Sequence, residues 1–191
     1  MDRRLIHNFS RSSIVWKAII LLIVLSCWIQ GCRGQHTAEE YLVLGNSALS
    51  QDDYAKATGL YEHGIIAFEM EETGWTELSS ATSLSTIVSL ETNLATAYSA
   101  IEGKHSKVLE HYERAIQAYL DRSKDGKDST NDHDEKAMKD VESIVSQTAF
   151  FYGMELQETD APKAIELYGQ AVVLDPELWA AWANLGELCC R

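Results

Sequence analysis

From Thr37 to the C-terminus, small and apolar residues return every three or four positions, interrupted by short polar or glycine-containing breaks. Strand-like alternation is scarce, and there are only two prolines, Pro162 and Pro176. The periodicity predicts an all-α chain with helices near 37–50, 53–71, 77–101, 106–122, 135–157, 161–174 and 178–189. Gly103 and the region of Gly126 read as breakers, and Asp52 is the expected N-cap of the second helix.

The helical segments resemble one another. "YLVLGNSALSQDDYAKATGLYEHG" holds Tyr41, Leu44 and Gly45, then Ala57 and Tyr61. "LATAYSAIEGKHSKVLEHYERAIQA" holds Leu94, Ala95 and Tyr98, then Val108, Tyr112 and Ala115. "AFFYGMELQETDAPKAIELYGQAVVLDP" holds Tyr152 and Gly153, then Ala164, Tyr168, Ala171 and Pro176. "WANLGELC" opens the pattern again with Trp182, Leu185 and Gly186. The small residues let paired helices approach, the rings fill the space between them, and Pro176 ends a unit. Tyr61, Tyr112 and Tyr168 are therefore expected in the core.

This order of residues resembles the tetratricopeptide repeat over most of residues 38–191. The resemblance implies an α-solenoid of antiparallel helix pairs. Repeats fall at 38–71, 77–122 and 135–176, with an acidic loop at 123–134 and the first helix of an incomplete fourth repeat at 177–191. The spacing departs from the usual period of about 34. Gly45 to Ala95 is 50 residues, Ala95 to Gly153 is 58, and Gly153 to Gly186 is 33. The surplus lies around 73–88 and 123–140, which predicts long helices in the middle repeats, like those of kinesin light chains in length alone.

The resemblance also implies a concave face lined by the first helix of each repeat. It would present Glu39, Leu42, Asn46 and Leu49 from one repeat and Ser89, Thr92, Asn93, Thr96 and Ser99 from the next, forming a groove for a protein or peptide. Members of the family that grip acidic chaperone tails use two asparagines with Lys and Arg. Asn46 and Asn93 match the asparagines, but Leu42 stands at the first basic position. The later ones fall near Ser146 and Phe150, or Ser143 and Gln147. Without cations a carboxylate loses its charge-assisted bonds, so no such tail is expected to bind.

The first 34 residues have a different character. A basic leader with Arg3, Arg4, Arg11 and Lys17 precedes the apolar run "AIILLIVLSCWI", then "QGCRG". This is the layout of a secretory signal with cleavage after Gly34. Two alternatives stand beside it: an uncleaved membrane anchor through residues 14–31, and a bacterial lipoprotein acylated at Cys32. All three place residues 35–191 outside the cytosol, in the endoplasmic reticulum lumen, the extracellular space or the far side of a membrane. The sequon Asn8-Phe9-Ser10 lies within the leader.

Residues 35–191 carry 11 basic and 28 acidic side chains, a net charge of −17, which repels nucleic-acid phosphates. Cys27, Cys32, Cys189 and Cys190 sit only at the ends, so no disulfide framework or zinc spacing can be drawn. His105 and His111 are six apart, and no HExxH spacing occurs. "DSTNDHDE" lacks the turn glycine and terminal glutamate of a calcium loop. Nothing in the sequence calls for a catalytic residue, metal or cofactor. The expected function is a non-enzymatic scaffold or adaptor. The alternatives are a structural subunit of a membrane-associated complex, or the repeat portion of a larger, truncated enzyme. The last helix, apolar around much of its circumference, is an expected surface for self-association, with Cys189 and Cys190 available for an intermolecular disulfide.

Overall fold

A computed structural model describes residues 36–70, 81–124 and 132–190. The leader with its signal, anchor and lipoprotein readings, the helix start at 77, the Gly126 breaker and most of the acidic loop lie outside the described residues. Those described are all-α, with seven helices and no strand: α1 Ala38–Leu49, α2 Tyr54–Met70, α3 Ala81–Ser99, α4 His105–Lys124, α5 Asp132–Leu156, α6 Ala161–Leu174 and α7 Trp179–Cys189. None of them is long and apolar enough to cross a membrane.

Local chemistry sets the helix ends. Thr37 and Glu40 form a capping box at α1: the Thr37 hydroxyl accepts from the Glu40 N–H at 3.2 Å, and the Glu40 carboxylate accepts from the Thr37 N–H at 3.1 Å. Between α1 and α2 the expected cap moves by one residue. Asp53 accepts from the Lys56 N–H at 3.1 Å, whereas Asp52 occupies the left-handed turn at φ 57° and accepts from the Tyr54 hydroxyl. The chain has to reverse before the helix starts, and Asp is among the few non-glycine residues that tolerate this backbone region. Gly103, at φ +75°, breaks the chain between α3 and α4 as expected. Asp160 caps α6 through the Lys163 N–H, with Pro162 in the first turn where no intrahelical donor is needed.

The helices pair as α1 with α2, α3 with α4, and α5 with α6, each pair antiparallel, and each pair packs on the next through α2–α3, α4–α5 and α6–α7. α1 also touches α3, and α3 touches α5. Glycine allows the closest approaches. A Cβ on Gly45 would lie 2.3 Å from the Tyr61 ring, and one on Gly153 would lie 2.7 Å from the Tyr168 ring. Tyr61, Tyr112 and Tyr168 are buried, as their spacing predicts, together with Leu84, Ile87, Val88, Leu90, Leu94, Val108 and Leu167. Buried polar contacts also cross between helices: the hydroxyls of Thr92 and Thr148 lie 2.8 Å apart, the Ser146 hydroxyl donates to the Ala171 carbonyl at 2.9 Å, and His111 meets Glu91 at 2.7 Å.

Candidate functional site

The predicted groove residues divide between two seams. Asn46 on α1 and Asn93 on α3 meet: the Asn93 amide donates to Asn46 Oδ1 at 2.9 Å, and the buried Tyr61 donates its hydroxyl proton to the same oxygen at 2.8 Å. Tyr61 therefore fixes Asn46 from beneath, and Asn46 fixes Asn93. Among the described residues, Asn46 Nδ2 and Asn93 Oδ1 keep a donor and an acceptor for another molecule. Tyr41 and Leu90 both face Gly64 of α2, about one turn before the Asn46–Asn93 contact, so α1 and α3 run in the same direction and Leu42 falls near the level of Ser89 and Leu49 near that of Thr96. Leu42 and Leu49 rest partly buried on the core, and Ser89 is half-buried. Thr96 is half-buried too, donating to the Thr92 carbonyl at 2.9 Å, with its hydroxyl 3.3 Å from that of Tyr112. Glu39 is exposed beside a recess of about 430 Å3 shared with Thr37, Ala38, Phe68, Ser83 and Thr86.

Two predicted positions leave the groove. Thr92 is buried in the α3–α5 seam against Thr148 and offers nothing to a ligand. Ser99 is exposed at the end of α3, where its hydroxyl returns to the Thr96 carbonyl at 2.8 Å. Of the positions weighed for a chaperone-tail clamp, Ser146 is buried and spent on Ala171.

A second polar arrangement is not foreseen from the sequence. Glu91 is fully buried between α3 and α4. His111 Nδ1 lies 2.7 Å from Glu91 Oε2, and Arg114 Nε lies 3.2 Å from Glu91 Oε1. The arginine makes an ion pair but is poorly aimed for a hydrogen bond, and Oε1 accepts none. Arg114 also reaches Glu69 on α2 at 3.7 Å. The Tyr98 ring stacks on His111 with centroids 5.6 Å apart; its hydroxyl donates to Glu62 and accepts from Lys107 Nζ at 3.0 Å. Burial, reinforced by the Glu62 carboxylate, holds the Tyr98 hydroxyl above its ordinary pKa, with Lys107 opposing. The sequence did hold a signal: Glu91 is the sole charged residue among the nineteen of α3.

The network ties the first helix pair to the second. Glu91 itself has no exposed surface. His105 pairs separately with Glu155 at 3.3 Å, and exposed His63 lies by the Tyr41 ring with centroids 5.8 Å apart. Among the described residues, no three His, Cys, Asp or Glu side chains converge to hold a metal ion. No family model matches the chain, and no curated protein is similar to it in sequence.

Proposed function

We propose that the chain is a tetratricopeptide-type scaffold, an α-solenoid that binds a protein or peptide along the α1–α3 seam. The glycine–tyrosine contacts within helix pairs and the serial packing of pairs support the repeat reading. The observation that carries the binding reading is the Asn46–Asn93 bridge. It joins an exposed amide, Asn46, to a half-buried one, Asn93, positioned by a buried tyrosine, and still offers one donor and one acceptor to a backbone laid across it. The basic leader and apolar run support delivery of this surface to the secretory lumen or to a membrane.

A photo-crosslinking residue at Leu42 or Ser89 of the full chain, expressed in a secretory host, tests the reading. A discrete adduct is expected there, absent from the same residue at Glu110 on the exposed face of α4 and weakened by Asn46→Ala. Equal adducts from both faces would overturn it. Acidic tails are not the partner, because Leu42 stands where a cation is required and residues 35–191 carry a net charge of −17. Micromolar binding of an acidic C-terminal peptide, lost in Asn46→Ala, would refute that exclusion.

A further inference from the structure

α7 leans on α6 by one side only. Ala181 is buried there, and the Asn184 amide donates to the Tyr168 hydroxyl at 3.2 Å. Away from that contact, Trp179, Trp182, Ala183, Gly186 and Cys189 recur at helical spacing and form one uncharged, exposed stripe. Trp179 is 77% exposed and Trp182 47%. The Trp182 ring is not loose: its Nε1 donates to the Pro176 carbonyl at 3.1 Å, which holds one edge while a face remains open.

Gly186 occupies the same place in the repeated pattern as Gly45 and Gly153. Those two glycines each receive a tyrosine ring from an antiparallel helix, whereas a Cβ on Gly186 would meet nothing within 4 Å. The fold thus shows twice what such a position accepts, and at α7 the place stands open. The same helix carries an exposed ring one turn before it. An antiparallel pairing of two α7 helices about a two-fold axis sets Trp182 of each copy over Gly186 of the other, satisfying ring and slot together.

We infer that α7 is a self-complementary surface through which two copies of this chain associate, tryptophan into glycine slot. The stripe bears no charge, so two strongly acidic copies bring no like charges together at this contact. Two tryptophans and the small residues beneath them from each copy bury on the order of 1,000 Å2 in total, the lower end for a specific interface, so the dimer is concentration-dependent. In this register Cys189 of one copy faces Trp179 of the other, so the contact does not require a disulfide.

Sedimentation velocity of the full chain in mild detergent under reducing conditions, over a hundredfold range of concentration, tests this. A monomer–dimer equilibrium is expected, weakened at least tenfold by Trp182→Ala and by Gly186→Leu, with unchanged helicity by circular dichroism in both. The Cys189→Ser/Cys190→Ser variant is expected to dimerise like the wild type. Three results would overturn the inference: a monomer throughout; association insensitive to both α7 variants, as the apolar leader would give; or association abolished by the cysteine variant alone.

Discussion

In the first and third helix pairs a glycine meets a buried ring, Gly45 on Tyr61 and Gly153 on Tyr168. The second pair has Ala95 and Tyr112 at the corresponding places, but four residues before Ala95 the chain carries Glu91, where the same count gives Tyr41 before Gly45, Ala149 before Gly153 and Trp182 before Gly186. A carboxylate thus sits in a position given elsewhere to an uncharged side chain, and His111 and Arg114 lie against it. The two kinds of contact respond differently to damage. An apolar contact loses stability in proportion to the volume changed. A buried charge depends on every partner being present, and removing the whole set costs less than removing one member.

The largest expected effect follows from that asymmetry. His111→Ala leaves the buried Glu91 carboxylate with only the misaimed Arg114 guanidinium and is expected to cost about 3–5 kcal/mol in urea denaturation at neutral pH. Replacing all three together, as Glu91→Met/His111→Leu/Arg114→Met, is expected to be neutral or stabilising by up to about 4 kcal/mol. Equal losses in the single and triple variants would show that shape, not charge, governs the second pair.

The tyrosine contacts have their own signature in alkali. Burial raises the Tyr61 hydroxyl from 10.0 to about 12. The folded state therefore holds this proton more tightly than the unfolded chain. The associated stability is complete below pH 10 and is lost as pH rises through about 12, at a slope of roughly 1.4 kcal/mol for each step of one in pH. Unfolding followed by ellipticity and tyrosinate absorbance is expected to lie in this window, and Tyr61→Phe is expected to flatten the pH dependence.

Smaller effects separate tight glycines from open ones. Gly45→Ala and Gly153→Ala push a methyl group into a buried ring and are expected to cost about 1–3 kcal/mol. Gly59→Ala, with nothing within 4 Å inside α2, is expected to gain about 0.5–1 kcal/mol. Thermal midpoints moving in opposite directions would confirm the distinction. Among the changes that remove a contact, Thr92→Val is expected to cost least. Thr148 can still donate to the Ile144 carbonyl 2.7 Å away, so only about 1 kcal/mol is expected to be lost.

Much of the fold was legible because each helix advertises itself locally. Gly103 and the Asp175–Pro176 stop mark ends by backbone chemistry alone, and the expected 161–174 coincides with α6. Asp52 and Asp53 cannot be told apart by pattern, because two acids adjoin and only the turn geometry decides which one caps. The candidate site was legible in part. Asn46 and Asn93 meet because α1 and α3 share a register, but Thr92, one residue away, turns to α5 instead. A single helix's pattern shows which positions are polar, not which neighbour each one meets. Glu91 stays hidden for the same reason: its partners lie 20 and 23 residues further on, across the α3–α4 turn.

Thr92 and Asn93 are consecutive, yet one grips α5 through Thr148 and the other grips α1 through Asn46. Three parallel rods are thereby riveted at a single height, roughly two-thirds of the way along the middle one. Sliding any rod lengthwise would break one of these bonds, so the pair of neighbouring side chains fixes the alignment of all three at one level.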